Sequence, residues 1–384
     1  MRVALSTIGK FHTFDLARQL HSKGFLTSIF TGYPKFKLKN EDIPQDLIHS
    51  FPWLHAPYMG FPYKHRIGKT LLEGWEYLDR ISLSNFTARN LPDCDIFCGL
   101  SSSALSAGIL AKSRGAKYIC DRGSTHIRTQ DQILREEHEI WGIPYKGIDP
   151  RIIDLEEREY DASDLITVPS NFNVDSFIRQ GISRQKIKKI PYGVDLNRFE
   201  KTSSPNSDSF EVLFVGSVCL RKGIPYLLKA FKEVIHANKH LTLAGTYDQQ
   251  YILWLKRNGL LNEDTTLLGP VPQERLKQIM SRSHVMVLPS IEEGLAMVQG
   301  QALACGCPVI ATHNTGASDL FVDGQAGYIV PIRDVETLTD KIQKIADDPE
   351  LRMQLSKSAL NNVKSIGGWS QYGQTMMAAM HALL

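Results

Sequence analysis

The sequence predicts an α/β protein built from two doubly wound domains, each a parallel sheet covered by helices, which face each other across a cleft. Three observations carry this prediction. The chain has 384 residues, more than the roughly 250–300 at which one hydrophobic core stops growing. Short apolar runs alternate with amphipathic stretches, which is typical of a parallel sheet flanked by helices. The alternation stops at a polar, Ser-rich segment, residues 200–209, and then restarts.

The first domain is predicted to span residues 1–199. Its first helix is predicted over residues 13–22, where Phe14, Ala17 and Leu20 recur at helical spacing. Its predicted strands are residues 2–6, 26–31, 95–100, 117–121 and 165–169. The opening residues carry one basic side chain and a very short apolar run, so they indicate a strand rather than a signal peptide.

The segment 200–209 is predicted to be a linker, and residues 210–368 the second domain. The strands predicted there are residues 212–217, 241–244, 266–269, 285–289, 309–312 and 328–331. Residues 369–384 are predicted to form a closing helix. Two such domains in tandem bring the carboxyl ends of two parallel sheets to one cleft, where doubly wound sheets bind their ligands. That cleft suits an elongated ligand, such as a nucleotide joined to another group.

Composition and charge exclude several classes of protein. Hydrophobic residues make up 42% and charged residues 22%, which excludes collagenous, coiled-coil and disordered chains. A net charge of +3 is too small for a dedicated nucleic-acid binder. The six cysteines form no CxxC pair, so we predict small buried side chains in a reducing cytosol. No run of 18 apolar residues occurs, so no membrane span is predicted.

Two turns between a strand and a helix have the character of anion sites. Gly9 lies in the first, where a glycine lets backbone N–H groups approach an anion; a tight connection without a ligand is the alternative. In the second, Gly216 ends a strand, and Arg221 and Lys222 precede a helix. Two cations at a helix N-terminus oppose the helix dipole. They favour a bound anion such as diphosphate, and a solvated basic turn is the alternative.

The most informative segment is residues 288–311, LPSIEEGLAMVQGQALACGCPVIA. A strand ends in Pro-Ser, an acidic loop follows, and a small-residue helix leads to Cys-Gly-Cys-Pro and another strand. Here the chain resembles the retaining glycosyltransferases of family 4, which have the GT-B fold of two Rossmann-like domains. Their signature, PS-x-x-EG followed by EA-x-A-x-G-x-PV, places seven residues between two glutamates. Glu293 matches the first glutamate, and Gln301 stands at the position of the second.

Further segments extend the resemblance over nearly the whole chain. They are residues 157–170, 186–199, 222–231, 267–276 and 315–331, together with Trp369. Within them, Asp319 stands where the family has glutamate. The resemblance implies that the first domain binds the acceptor and is completed by the helix of about residues 369–384. It also implies that the second domain binds the donor.

The resemblance implies roles for the matched positions. Lys222 and Arg221 would neutralise the diphosphate of the donor, and Glu293 would accept a hydrogen bond from a donor sugar hydroxyl. His126 would contact the transferred sugar, and a histidine held structurally by the backbone is the alternative. The remaining donor-binding positions would be Gly9, Gly216, Gly294, Leu295, Ala296, Met297, Val298 and Gln301. Of these, residues 295–298 would open a helix toward phosphate.

The implied reaction moves a sugar from a nucleotide diphosphate sugar to a hydroxyl of a glycan, a lipid-linked acceptor or a small molecule, in polysaccharide or glycoconjugate synthesis. The family offers no protein nucleophile, so front-face departure is expected, with electrostatic stabilisation of the leaving diphosphate as the largest contribution. Cations and helix termini would replace a metal, and no cofactor is expected. Asp93-Cys94-Asp95 is interpreted as the lead of a strand rather than a metal site.

The second glutamate position leaves an alternative function open. A carboxylate accepts hydrogen bonds from both hydroxyls of a ribose, whereas the Gln301 amide has one acceptor oxygen and a donor NH2. Gln301 would therefore hold ribose less strongly. The alternative is a catalytically weak homologue that binds nucleotide sugars or serves as a scaffold.

The acceptor side carries a basic, aromatic segment. Residues 51–66 are rich in aromatic residues and proline, and Lys35, Lys37 and Lys39 precede them. Residues 1–72 contain ten Lys or Arg and four Asp or Glu. If exposed, this region would contact an anionic membrane or a lipid-linked acceptor; a loop packed over the sheet is the alternative. A cytoplasmic protein, peripheral on the inner membrane face, is the corresponding expectation.

Overall fold

A computed structural model describes residues 1–61, 67–196 and 198–384. In these residues seven parallel strands form the first sheet: β1 (Val3–Thr7), β2 (Leu26–Thr31), β3 (Ile48–Ser50), β4 (Ile96–Leu100), β5 (Lys117–Asp121), β6 (Leu165–Val168) and β7 (Ile187–Lys189). Six parallel strands form the second: β8 (Phe210–Val215), β9 (Lys239–Ala244), β10 (Thr265–Gly269), β11 (Val285–Leu288), β12 (Val309–Thr312) and β13 (Gly327–Val330).

Helices connect the strands and cover both sheets. In the first domain they are α1 (Thr13–Ser22), α2 (His55–Gly60), α3 (Lys69–Asn90), α4 (Leu105–Ser113), α5 (Ile127–Ile140), α6 (Pro150–Ala162) and α7 (Asn171–Arg179). From residue 224 onward they are α8 (Ile224–Glu233), α9 (Gln249–Arg257), α10 (Gln273–Arg282), α11 (Met297–Ala304), α12 (Val335–Asp347), α13 (Pro349–Ile366) and α14 (Trp369–His381).

Both sheets have the doubly wound topology, which confirms the predicted fold class. Their strand orders are β3-β2-β1-β4-β5-β6-β7 and β10-β9-β8-β11-β12-β13. In each sheet the order reverses where the first strand of the domain meets the fourth, which is β1 beside β4 and β8 beside β11. Ligands of such sheets bind outside the carboxyl ends of the strands at this reversal. The fold therefore places one such crevice in each domain.

The central strands are continuous apolar runs because both faces of a parallel sheet are covered. All five residues of β1 and all four residues of β11 are buried. Most of the helices pack on the sheets through one apolar face. In α8 this face includes Leu227, Leu228 and Phe231, which are buried in the core.

The C-terminal helix returns to the first domain, where α14 packs against α1. Gly373 of α14 allows this close approach, since a Cβ added there would lie 2.5 Å from Cβ of Gln19. Tyr372 packs its ring against those of Trp369 and Tyr192. The last helix, α14, thus contacts the segment that follows β7 through these aromatic rings.

Four of the six cysteines are buried as the sequence predicts, and Asp95 leads a strand as interpreted. Cys98, Cys120, Cys305 and Cys307 are buried, whereas Cys94 and Cys219 are half-buried. Asp95 accepts hydrogen bonds from the backbone N–H of Arg2 (2.7 Å) and from its guanidinium (3.0 Å), so its carboxylate joins the starts of β1 and β4. Among the described residues, no helix is both long enough and apolar enough to span a membrane.

Candidate active site

Four charged side chains converge at the strand-order reversal of the second sheet. Arg221 and Lys222 follow β8, and Glu292 and Glu293 follow β11. These strands are direct neighbours, with Met286 of β11 paired to Leu213 of β8. The fold therefore brings together three residues that the sequence patterns indicated: Arg221, Lys222 and Glu293.

Close backbone contacts fix the two loops that carry these charges. Gly223, which caps α8, has φ +67°, and a Cβ there would lie 1.9 Å from the carbonyl oxygen of Pro289. Only glycine suits both the left-handed conformation and this approach. The backbone N–H of Ile291 donates to the carbonyl of Arg221 at 2.8 Å. The β8–α8 turn is therefore held directly against the loop after β11.

The predicted turn glycine at the end of β8 lies beside the same cation. Gly216 has φ +148°, and a Cβ there would lie 3.6 Å from Cε of Lys222. Its carbonyl oxygen would lie only 1.9 Å from a Cβ added to Gly245, at the end of β9. Gly245 thus lets the ends of β8 and β9 approach closely, and Gly216 lies within van der Waals range of the Lys222 side chain.

Lys222 and Glu293 form an ion pair within this cluster. The side chains are 12% and 11% exposed, so water screens the pair only weakly. Burial, and then the neighbouring charge of Arg221, lowers the pKa of Lys222 to about 8. A lysine in this state is a cation that is incompletely hydrated, and it would gain from an added phosphate charge.

Glu292 was not predicted as a site residue, and it makes the most extensive contacts. Its carboxylate is fully buried and lies 3.3 Å from Nη1 of Arg221. It also accepts hydrogen bonds from Ser124 Oγ (2.5 Å), Thr125 Oγ1 (2.8 Å) and Gln130 Nε2 (3.0 Å). Those three donors belong to the first domain, so Glu292 joins the two domains at the charged cluster. The only signal in the sequence was a second glutamate in the acidic loop.

Other parts of the first domain hold the same loop from a second side. Ser170 Oγ donates to the carbonyl of Gly294 at 2.8 Å, and Asn173 Nδ2 donates to the carbonyl of Glu293 at 3.4 Å. A Cβ on Gly294 would lie 1.9 Å from the carbonyl oxygen of Gly123. The loop 292–294 is therefore seated between two segments of the first domain, and Gly294 is required for that fit.

The helix that follows this loop begins later than the sequence predicted. α11 starts at Met297, and Ala296 is its N-cap. The Ala296 N–H donates to the carbonyl of Thr315 at 3.3 Å, so it is engaged within the domain rather than directed at a phosphate. Leu295 is buried. The N-terminus of the helix is therefore formed from Met297 onward, which corrects the predicted start.

The rest of α11 includes two other predicted donor positions. Val298 lies in its first turn and Gln301 in its second, and both are half-buried. Gly300 lies between them, and a Cβ there would approach Val194 Cγ2 to 2.4 Å. Small residues in this helix therefore allow it to pack against the segment that leads out of the first domain.

The contact of His126 with the transferred sugar stays a prediction, and the structure shows what surrounds this residue. His126 is the N-cap of α5, and its Nδ1 accepts from the backbone N–H of Arg128 at 3.3 Å. Its ring is buried against Tyr160 and Phe177, with ring centroids 4.9 and 5.0 Å away. Burial lowers its pKa to about 4. This arrangement favours the structural alternative stated for this residue.

A different histidine lies near the contact between the domains. His12 follows the Gly9 turn, and its Nε2 lies 2.6 Å from Oδ2 of Asp121. Its ring packs against that of Tyr192 in a tilted arrangement, with the ring centroids 4.3 Å apart. His12 Cε1 lies 3.8 Å from the position of a Cβ on Gly123, the residue that abuts the loop 292–294. The sequence pattern indicates Gly9 in this turn and gives no signal for His12, because the partner of His12 is more than a hundred residues away.

Asp319, the departure from the family's glutamate, also joins the two domains. It accepts from the backbone N–H and the side-chain amide of Asn171, both at 2.8 Å. Lys189 Nζ lies 2.6 Å from its Oδ1. Asp319 thus secures the N-terminus of α7, the helix whose N-cap, Ser170, donates to the carbonyl of Gly294.

A cavity of about 590 Å³ opens beside Arg221. The first domain lines it with Leu134 and His138 of α5, and the second with Ser217 and Tyr247, which follow β8 and β9. It lies between the domains, where ligand sites are common. The charged cluster therefore borders a space large enough for part of a ligand.

Family comparisons cover most of the chain. The model of Glycosyltransferase Family 4 matches residues 10–198, and that of Glycosyl transferases group 1 matches residues 197–362. A D-inositol 3-phosphate glycosyltransferase of Kribbella flavida is 24% identical over 294 residues, 71% of this chain and 67% of that protein. The capsular polysaccharide biosynthesis glycosyltransferase CapM of Staphylococcus aureus is 28% identical over 184 residues, 45% of this chain and 47% of that protein.

Solved structures share the whole architecture. Sucrose-phosphate synthase from Thermosynechococcus elongatus superposes with a TM-score of 0.77 at 19% identity, covering 100% of this chain and 99% of its own. Anabaena HepE in complex with UDP-glucose superposes with a TM-score of 0.71 at 16% identity, covering 100% of both chains. The two sheets, the order of their strands and the family matches lead to one assignment: the chain belongs to glycosyltransferase family 4 and has the GT-B fold.

Proposed function

We propose that the protein transfers a sugar from a nucleoside diphosphate sugar to a hydroxyl of an acceptor, with retention of the anomeric configuration. The observation that carries the proposal is the cluster of Arg221, Lys222 and Glu293 at the β8–β11 reversal. A diphosphate at this crevice would compete with Glu293 for the charge of Lys222. Glu293 would then be available to accept a hydrogen bond from a hydroxyl of the donor sugar.

The comparisons support this class of donor. The relatives that match are glycosyltransferases, and structures of Anabaena HepE hold UDP, UDP with glucose, or UDP-glucose. We therefore propose a uridine diphosphate sugar as the first donor to test. In this proposal Met297 and Val298 contribute the helix N-terminus, and Gln301 contacts the ribose.

The proposed chemistry is front-face displacement without a metal. The bond from the anomeric carbon to the diphosphate oxygen breaks, and the bond to the acceptor oxygen forms on the same face. The acceptor proton passes to the departing phosphate oxygen. Arg221 and Lys222 stabilise the charge that develops there, which is the main requirement in such a step. Neither carboxylate serves as a nucleophile in this proposal, because Glu292 is directed at the first domain and Glu293 accepts a hydrogen bond from a sugar hydroxyl.

The acceptor is proposed to approach the first domain. Phe36 and Trp53 are 68% and 73% exposed, and Lys35 and Lys37 are exposed beside Phe36. An exposed aromatic and basic face of this kind suits an anionic membrane surface or a lipid-linked glycan, with the protein peripheral on the cytoplasmic side. Residues 62–66 of the predicted acceptor segment lie outside the described residues. A soluble glycan or a small molecule would use the cleft itself.

A thermal-shift panel of UDP, GDP, ADP and their sugars tests the proposed donor. A ligand present at about 100 times its Kd stabilises a protein by about 2.7 kcal/mol, so one nucleotide is expected to raise Tm by several degrees. Adenosine and inorganic phosphate serve as controls that should give no such shift. The absence of stabilisation by every nucleotide in the panel would contradict the proposal.

The same panel tests the consequence of the glutamine in α11. Gln301→Glu is expected to keep or increase the rise in Tm that the nucleotide causes, because a carboxylate accepts hydrogen bonds from both ribose hydroxyls. Loss of all nucleotide binding in this variant would contradict a ribose contact at this position. Binding without turnover in the wild-type protein would instead favour the non-catalytic homologue.

A further inference from the structure

We propose that Glu292 is a positioning residue, which makes Arg221 available to the donor only while the two domains are in contact. The inference rests on the proposed function, since it concerns the same leaving-group site. Glu292 would contact neither substrate. It would act through Arg221 and through the side chains of the first domain.

The Glu292 carboxylate divides its hydrogen bonds between the two domains. Oε1 accepts from Ser124 Oγ (2.5 Å) and Thr125 Oγ1 (2.8 Å), and Oε2 accepts from Gln130 Nε2 (3.0 Å). Arg221 Nη1 shares Oε2 at 3.3 Å. Each carboxylate oxygen thus accepts a hydrogen bond from the first domain. Arg221 of the second domain therefore shares the carboxylate with those donors.

The amide of Gln130, one of these donors, is oriented by contacts within the first domain. Arg122 Nη2 donates to Gln130 Oε1 at 3.0 Å, and Arg122 is itself paired with Glu156 at 2.9 Å. The amide of Gln130 must therefore direct its NH2 group toward Glu292. A surface made of two hydroxyls and an NH2 group is matched by a carboxylate, which only accepts hydrogen bonds.

The protonation state agrees with this arrangement. Burial alone would raise the pKa of Glu292, but the charge of Arg221 and the hydrogen bonds from Ser124, Gln130 and Thr125 outweigh it. The pKa of Glu292 is therefore lowered, and the carboxylate is ionised at neutral pH. A buried carboxylate of this kind must keep its partners or find new ones.

The consequence concerns the guanidinium of Arg221. In the part of the chain that the structure describes, the side-chain hydrogen bonds of Arg221 come from Nη1 alone, and the side chain is 35% exposed. Nε and Nη2 therefore remain for the donor phosphates. If the domains separated, Glu292 would lose the first domain's donors and would draw Arg221 into a two-pronged pair. Contact between the domains thus sets whether Arg221 can serve the leaving group.

Steady-state kinetics with the full chain and a nucleotide sugar test this role. Glu292→Gln keeps the shape of the side chain and removes its charge, so kcat should fall by roughly 10- to 100-fold, while the donor KM changes by less than about 3-fold. Arg221→Ala combined with Glu292→Gln should be no worse than Arg221→Ala alone, since Glu292 acts through Arg221. Thr125→Val removes a donor from the opposite domain and should lower kcat in the same direction, by several-fold.

Glu137→Gln is the matched control. Glu137 is also a fully buried carboxylate between the domains, where it accepts from Arg333 Nε (2.8 Å) and Trp141 Nε1 (2.9 Å). The Glu137→Gln variant should lose about as much thermal stability as Glu292→Gln, while its kcat stays within about 3-fold of the wild-type value. Wild-type kcat in Glu292→Gln, or additive losses in the double variant, would overturn the inference while leaving the proposed function intact. A wild-type protein that turns over no nucleotide sugar would instead overturn the proposed function, and the inference with it.

Discussion

Replacing Lys222 with alanine is expected to lower the turnover of the donor by about 100-fold or more. Lys222 is 12% exposed and forms a close ion pair with Glu293, so its charge acts where water screens little. The loss of one preorganised group that stabilises a leaving oxygen typically costs 10²–10³ in kcat. Initial rates of nucleoside diphosphate release, measured at saturating donor, give the comparison with the wild-type enzyme.

Lys232→Ala is the control for this variant. Lys232 is exposed and lies in the last turn of α8, whereas Lys222 lies just before the helix begins. Ten residues of helix separate the two ends by about 15 Å, so Lys232→Ala should keep wild-type turnover. Near-wild-type turnover in Lys222→Ala would remove this lysine from the proposed mechanism.

The pH profile of kcat/KM extends this test. With a pKa lowered to about 8, Lys222 is charged below this pH and neutral above it. Phosphate binding needs the charged form, so kcat/KM should fall as the pH rises through about 8. Lys222→Arg should be active and should lose that fall, because a guanidinium stays protonated. If kcat/KM of Lys222→Arg still fell as the pH rises through about 8, the group that titrates would not be Lys222.

Gly294→Ala is expected to produce the second large effect, a loss of about 100-fold in kcat/KM. An added Cβ would lie 1.9 Å from the carbonyl of Gly123 in the other domain, so the two backbones must separate. This movement would displace Glu293 and strain the contacts of the loop 292–294. Displacements of about 1 Å at a reacting centre can cost 10²-fold in rate.

Gly74→Ala provides the matched glycine control. Gly74 lies in α3, and a Cβ there meets no atom within 4 Å. This variant should keep full activity and gain about 0.5–1 kcal/mol of stability, because alanine favours the helix. Kinetics and thermal unfolding of both variants give the comparison. Wild-type kcat/KM in Gly294→Ala would show that the close approach of the two loops has no role in catalysis.

Most of the fold could be predicted from local pattern. The bounds predicted for α1, β2, β5 and β12 agree with the structure, because each is a periodic or continuous apolar run between polar or glycine-containing turns. The three-residue strands β3 and β7 were missed. They contain His49, Lys188 and Lys189, and β3 and β7 lie at the two edges of their sheet, where a strand needs no apolar run.

The site residues could be predicted only where a local motif marks them at the end of a strand. Arg221, Lys222 and Glu293 follow strand ends in recognisable motifs. Glu292 was missed because its partners are set by the placement of one domain on the other; Ser124 is 168 residues away from it. His126 was assigned to the sugar on a motif, and its packing against Tyr160 and Phe177 depends on tertiary structure.

Lys222 and Arg221 are proposed to support retaining transfer from a nucleotide sugar, and proton NMR of the first product formed from an α-linked nucleoside diphosphate sugar, before mutarotation, measures its stereochemistry. We expect the wild-type enzyme to consume the donor and to form an α-configured product, and we expect both to fall together by about 100-fold or more in Lys222→Ala. A β-configured product, or no consumption of any nucleotide sugar by the wild-type enzyme, would refute retaining transfer at this site.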